Sequence, residues 1–202
     1  MVAAENFELK YVLPRAGERW LLRANGPGGV LAGEAVDGAG GNADVILSVG
    51  MCGALTEELE IGDIVCGTAV NGIQIDTPYC ESKHVTGPVA SIDRVAQTVE
   101  EKRQLGKTGA IVVEMEAAAV LERARKWNVP FYCIRAVSDM ASEGFELDLN
   151  ATRDKAGRFR VGRILAQAAR QPLTGVPELL RLRRNSQAAV KALGDFIGNC
   201  SF

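Results

Sequence analysis

The stretch from Gly109 to Glu143, GAIVVEMEAAAVLERARKWNVPFYCIRAVSDMASE, constrains this chain more than any other. Ile111 to Val113 is a short apolar run. Glu116 to Trp127 collects Ala, Leu, Glu, Arg and Lys, all strong helix formers. Asn128-Val129-Pro130 stops that helix, because the residue before a proline avoids the helical region. Phe131 to Val137 is β-branched and aromatic with no turn residue inside it. Strand, helix and strand within about 30 residues have the length of a βαβ crossover, which predicts two parallel strands. Glu114 and Glu116 then follow the end of the first strand, and Ser138 and Asp139 follow the end of the second. All four are expected on one rim of a sheet, where open α/β folds bind ligands.

The rest of the chain alternates in the same way. Val2 to Ala4 reads as a strand, with a helix starting near Glu5. Trp20 to Ala24 is a second apolar run, broken by Arg23 and ending in the sharp loop Asn25-Gly26-Pro27-Gly28-Gly29. A helix over Val30 to Val36 comes next. Val45 to Val49 is nearly continuous in apolar residues, as in a strand covered on both faces, and it ends in the expected turn Gly50-Met51-Cys52-Gly53. Ile64 to Val70 is another strand, entered through Gly62-Asp63. Residues 71–90 read as an irregular loop near the rim, Ile92 to Leu105 as a helix, and 140–158 as a loop. Val161 to Arg170, Val176 to Arg184 and Asn185 to Ile197 read as a helical tail. This alternation predicts an α/β fold: a single domain over 1–202, with a central mixed, largely parallel sheet flanked by helices and a helical C-terminal tail over 159–202.

Bulk properties narrow the function. A chain of 202 residues buries roughly 70% of its unfolded surface, enough for a real core. The net charge of −2 provides no basic field for nucleic acid or anionic lipid. The cluster Arg181, Arg183 and Arg184 reads as the solvated face of a helix. No apolar run approaches the roughly 20 residues of a membrane helix, and MVAAENFELK lacks the pattern of a signal peptide. The five cysteines are odd in number and carry no short paired spacing, so neither a disulfide framework nor a zinc site is expected. Reduced thiols and a cytoplasmic location fit best. His84 sits in a polar loop without partner motifs, and no metal site is expected.

The strand ends lead into Glu5 and Glu8, two glycine turns, Glu116 and Asp139. Glycine lets a backbone approach a ligand closely. Amides at such turns can bind hydroxyls or anions. Carboxylates in a partly dry cleft rise in pKa and can act as acids or bases near neutral pH. The combination suits a hydroxyl-rich substrate whose bond breaks through a cationic transition state, such as an N-riboside.

VEMEAAAV followed by RAVSDMAS is similar to the signature of the nucleoside phosphorylase and nucleosidase superfamily. NADVILSVGMCGALTEELEIGDIV resembles its strand, glycine turn and following strand, and AAENFELKYVL resembles its first strand and acid. The likeness is greatest to methylthioadenosine/S-adenosylhomocysteine nucleosidases and to hopanoid-associated phosphorylases, toward which the C-terminal tail leans. It is specific over 42–70 and 110–140, and looser over 2–36. The resemblance implies that Asp139, with Ser138 beside it, bonds the purine N7 and protonates the leaving base. It implies that Glu116 holds the ribose 2′- and 3′-hydroxyls, that Met115 packs on the sugar, and that Glu8 activates water. Gly50, Met51, Cys52 and Gly53 match the turn beneath the ribose. No cofactor is implied, apart from inorganic phosphate as co-substrate in a phosphorylase. A homodimer or higher homo-oligomer is the family's habit.

There are departures. Met51 stands where many phosphorylases carry Ser or Thr, and a thioether is a weak acceptor. Gly26, Gly28 and Arg94 are the candidate phosphate contacts, with Arg15 and Arg19 also within reach by sequence. The segment Leu13 to Gly28 is short, and the aromatic expected near 91–96 to stack on the base is replaced by Val95. The expected activity is therefore hydrolysis of the N-glycosidic bond of a purine nucleoside, adenosine-type and 5′-substituted. Phosphorolysis and non-catalytic nucleoside binding are the alternatives. A nicotinamide-dependent oxidoreductase fits poorly: Gly26-Pro27-Gly28-Gly29-Val30-Leu31 has leucine where the last glycine of a dinucleotide fingerprint belongs.

Overall fold

A computed structural model describes residues 1–12, 20–41 and 43–202; Arg15 and Arg19 lie outside them. The strands are β1 (Val2–Ala3), β2 (Arg23–Ala24), β3 (Ile46–Ala54), β4 (Ile64–Val70), β5 (Ile73–Gln74), β6 (Tyr79–Cys80), β7 (Val85–Ser91), β8 (Val112–Glu114), β9 (Phe131–Asp139) and β10 (Cys200–Ser201). The helices are α1 (Asn6–Leu9), α2 (Gly29–Asp37), α3 (Val99–Gly106), α4 (Ala117–Trp127), α5 (Val161–Arg170) and α6 (Pro172–Ile197).

The expected mixed α/β architecture is present. β3 pairs in parallel with β1 and β9, and β7 pairs in parallel with β4 and β8. Antiparallel pairings of β3 with β8 and of β4 with β9 close β3, β8, β7, β4 and β9 into a ring. Alternate residues of the central strands feed two cores, as a period of two requires. Ile46, Cys133 and Val137 pack with Val36, Val120 and Leu121 of α2 and α4. Leu47, Val49, Ile134 and Ala136 pack with Ala189, Leu193 and Phe196 of α6. α4 ends at Asn128, whose left-handed backbone (φ 55°) forms the C-cap.

Four expectations need correction. β8 and β9 are not a parallel pair. β3 lies between them, parallel to β9 and antiparallel to β8. Periodicity identifies each strand but not the neighbour it selects, and here β8 goes to close the ring. Second, Gly50 to Gly53 is no turn, because β3 continues through it to Ala54. Third, residues 71–90 are not an irregular loop: they contain β5, β6 and most of β7. Fourth, two of the cysteines are bonded. β6 and β10 place Cys80 opposite Cys200, and these two form a disulfide across a separation of 120 residues. Cys52, Cys66 and Cys133 are free and buried.

Two smaller differences concern helices. The segment after β7 becomes helical only at Val99, where Thr98 Oγ1 caps the helix by accepting from the Glu101 amide at 3.1 Å. Arg181 is not a purely solvated side chain: it pairs with Glu143 at 2.8 Å and with Glu178 at 3.5 Å. No helix among the described residues is long and apolar enough to cross a membrane.

Candidate active site

Gly53 is the hinge of the site. It is the register partner of Val113 on β8 and of Asp139 on β9. The ends of those two strands therefore meet around one backbone position, although the strands are antiparallel. A Cβ on Gly53 would lie 2.7 Å from Asp139 Oδ1. The resulting cavity encloses about 320 Å³, within the range of small-molecule sites. Glu8, Met51, Cys52, Gly53, Arg94, Met115, Glu116, Ser138 and Asp139 all line it. Gly50, Gly26 and Gly28 are not among the lining residues, but Gly28 bonds Glu116 and Gly50 leaves room for Glu8, both of which are.

Gly50 lies under Glu8: a Cβ there would sit 2.8 Å from Glu8 Oε1 and 2.7 Å from Arg135 Nη1. Glu8 is only 3% exposed. Its Oε2 accepts from the Glu5 amide at 2.8 Å, the reach-back of an N3 residue to its helix N-cap. Its Oε1 accepts from the Met51 amide at 2.9 Å. Burial pushes the Glu8 carboxyl up, while those two amides and Arg135 hold it down.

Glu116 precedes α4. Its Oε1 accepts from the Gly28 amide at 2.8 Å, and its Oε2 lies 3.9 Å from Arg135 Nη1. Burial and the neighbouring Glu114 carboxylate push Glu116 up to about 7, against the pull of Arg135. Glu114 is turned to structural use. It accepts from the amides of Glu116 (2.9 Å) and Ala117 (2.9 Å), which places a negative charge at the N-terminus of α4.

Arg135 joins these acids. Wholly buried on β9, it donates to Glu114 Oε2 and, at 2.6 Å, to Ser48 Oγ. Burial disfavours its charge, but Glu114, Glu116 and Glu8 outweigh that and raise its pKa. One cation thus serves three carboxylates. The sequence signal for Arg135 is a charge inside an apolar strand, a residue type almost never buried without partners; the motif resemblance assigns it no role.

At the other end of the cavity Asp139 accepts from Ser138 Oγ at 3.0 Å on Oδ2 and from Lys102 Nζ on Oδ1. Burial pushes the Asp139 carboxyl up and the Lys102 charge opposes it. Lys102, from α3, is 1% exposed. Nothing in EEKRQLGK distinguishes it from a solvated helix residue. Val95 lines the cavity where the resemblance expects an aromatic, and Phe7, Phe145 and Phe159 line it as well.

The candidate phosphate contacts are occupied. The Gly28 amide is committed to Glu116, and Arg94 pairs with Glu101. Gly26 is buried, and a Cβ there would lie 2.6 Å from Leu31 Cδ1. Among the described residues no group of three His, Cys, Asp or Glu side chains is arranged to hold a metal ion.

A family model described as the phosphorylase superfamily matches residues 72–170. The chain is 31% identical over 146 residues to 5′-methylthioadenosine/S-adenosylhomocysteine nucleosidase of Staphylococcus aureus (strain JH9), covering 56% of this chain and 64% of that relative. The chain thus spans less than two thirds of the length of the curated relatives it matches. In fold it is similar to a 5′-methylthioadenosine/S-adenosylhomocysteine nucleosidase from Neisseria meningitidis in complex with methylthio-immucillin-A. The TM-score is 0.69 at 19% identity, over 98% of this chain and 95% of that one. It is also similar to futalosine hydrolase of Helicobacter pylori strain 26695, with a TM-score of 0.68 at 15% identity over 98% and 94%. In sequence the chain is similar to the phosphorylase superfamily over residues 72–170, and in fold to the Neisseria meningitidis nucleosidase structure.

Proposed function

We propose that this chain hydrolyses the N-glycosidic bond of a purine nucleoside, adenosine-type and 5′-substituted. The observation that carries the reading is the convergence of Glu8, Glu116 and Asp139 on one cavity of about 320 Å³. In this reading Glu116 accepts hydrogen bonds from the ribose 2′- and 3′-hydroxyls, and its charge stabilises the oxocarbenium-like sugar. Met115 packs on the ribose. Glu8 takes a proton from water as the water oxygen bonds to C1′. The C1′–N9 bond breaks, its electron pair goes to the base, and the base takes a proton at N7 from Asp139. General acid catalysis of this kind contributes about 10²–10⁴-fold. The relatives' names support the chemistry: one is a nucleosidase for 5′-methylthioadenosine and S-adenosylhomocysteine, the other a futalosine hydrolase.

Water is preferred over phosphate because Met51 offers no hydroxyl, while the Gly28 amide and Arg94 already have partners. Chromatography of products from a panel of 5′-substituted adenosines, with phosphate varied, tests both points. Free base and free ribose product without phosphate are expected. Strict phosphate dependence would overturn hydrolysis, and tight nucleoside binding without product would leave a binding protein. We further propose a homodimer or higher homo-oligomer, checked by light scattering. Its basis is the family resemblance together with the exposed apolar side chains Val161, Leu165, Leu173 and Leu180 on α5 and α6.

A further inference from the structure

The acid at the base end of the cavity is bonded in a way that its assigned role does not explain. Lys102 Nζ donates to Asp139 Oδ1, and Ser138 Oγ lies 3.0 Å from Oδ2 and 3.2 Å from Cys52 O, with one proton to direct at either. An ammonium held against one oxygen favours the carboxylate even where burial pushes the carboxyl up, and a carboxylate has no proton to give. A general acid needs one. The nearest proton source is the Lys102 ammonium itself. Among the described residues its other polar contact is one carbonyl, Met140 O at 2.7 Å, and its charge lies 5.5 Å from the centre of the Phe145 ring. Lys102 is 1% exposed, and its Nζ lies against Asp139 Oδ1, so the carboxyl is the acceptor through which one of its N–H protons can reach the cavity.

We propose that Lys102 is a positioning residue that both orients Asp139 and supplies the proton that Asp139 passes to the leaving base. This rests on the nucleosidase reading above. In the step, the C1′–N9 bond breaks and its electrons reach the base. An O–H bond on Asp139 is spent to form the N7–H bond. The Asp139 O–H is made from a Lys102 N–H, leaving a neutral amine and a carboxylate. A solvent proton restores Lys102 after product leaves. The other charges facing the pair are Glu143, after β9, with Arg181 of α6 paired to it at 2.8 Å. The buried Cys52 thiol on β3 also faces Asp139.

The test uses the whole chain with Lys102→Met and Lys102→Arg, and two substrates. One is 5′-methylthioadenosine, whose base needs protonation. The other is 4-nitrophenyl riboside, whose leaving group departs as a stable anion. Arginine keeps the charge but does not give up a proton. Both variants are therefore expected to lose about 10²-fold or more on the purine substrate, the scale of a lost general acid, and to keep most of the rate on the 4-nitrophenyl substrate. Recovery of the purine rate by Lys102→Arg would reduce Lys102 to a charge and overturn proton supply. Equal losses on both substrates would mean a merely structural lysine and overturn the proposal as a whole. A second readout needs no turnover. In ¹³C NMR the Asp139 carboxyl, assigned by its loss in Asp139→Asn, should titrate at higher pH in Lys102→Met than in the parent; an unchanged midpoint also overturns the coupling. A parent that cleaves no nucleoside, while the midpoint still moves, would reject the nucleosidase reading and the relay but leave the ion pair as found.

Discussion

The amide of Gly28 donates a 2.8 Å hydrogen bond to Glu116 Oε1 across 88 positions of sequence. This bond ties the loop after β2 to the start of α4 and sets the direction in which Glu116 faces the cavity. Gly28 has φ +97°, and a Cβ there would lie 2.9 Å from Arg153 Nη2. Gly28→Ala should therefore destabilise the fold by about 1–3 kcal/mol, the usual scale for such backbone strain. It should also weaken nucleoside binding by releasing Glu116. Urea titration and calorimetry with the substrate check the two effects separately.

Glu116 makes stability depend on pH. Its carboxyl is pushed up to about 7 by burial and by Glu114, whereas the unfolded chain ionises it near the ordinary value of about 4.3. Below that lower value both states hold the proton and the fold suffers no penalty. Between about 4.3 and 7 the unfolded state ionises first, so stability falls as pH rises, and above about 7 the penalty is complete. Glu116→Gln removes the titration. Its denaturation midpoint should gain on the parent's as pH goes from 5 to 8, while its turnover falls because the ribose loses a charged acceptor. A parallel pH dependence in parent and variant would contradict the assignment.

Asp139→Asn should slow base release by about a hundredfold or more, as for a lost general acid. It should also destabilise, because Lys102 is left buried without its counter-charge, and breaking a buried pair costs about 3–5 kcal/mol. The double variant Asp139→Asn with Lys102→Met should recover part of that stability and none of the rate. Thermal unfolding of the four proteins, together with single-turnover rates, completes the cycle.

Cys80 and Cys200 close a loop across a separation of 120 residues and fasten the end of α6 to the β6 strand. Cys200→Ser should lower stability by about 2–4 kcal/mol in oxidising buffer. Reductant should lower the parent to the same level and leave the variant unmoved. Guanidinium titrations with and without dithiothreitol measure this.

Much of the site is legible in the sequence because its chemistry sits beside strand and helix boundaries. Glu8, Glu116 and Asp139 each come after an apolar run, and runs are what a sequence displays. Pairing is not legible. β8 and β9 carry the residues of a βαβ unit, but β3 separates them, since strand periodicity says nothing about which edge a strand will join. Residues 71–90 resemble a loop because β5 and β6 are two residues each, too short for alternation to show. The Cys80–Cys200 bond depends on the β6–β10 contact, which is equally invisible. Lys102 and Arg135 escape notice for opposite reasons. Lys102 hides among charged neighbours on α3, whereas Arg135 stands out in an apolar strand but carries no role in the motif around it.

Gly50 offers the sharpest test of how the acids are held. It sits inside β3, where alternation would ordinarily place a side chain. Its backbone and its neighbours both oppose one: φ is +156°, and a Cβ would lie 2.8 Å from Glu8 Oε1 and 2.7 Å from Arg135 Nη1. Both atoms belong to buried, hydrogen-bonded groups that cannot swing into solvent. Gly50→Ala should then displace Glu8 from the Met51 amide, cost about 1–3 kcal/mol as an overpacked core does, and cut turnover more than substrate affinity. Gly162 in α5 is the control, since a Cβ there meets nothing within 4 Å. Gly162→Ala should leave turnover unchanged and raise stability by about 0.5–1 kcal/mol through helix propensity. If Gly50→Ala matched the control in rate and melting temperature, Glu8 would not be fixed where this structure has it, and its role in activating water would fall with that geometry.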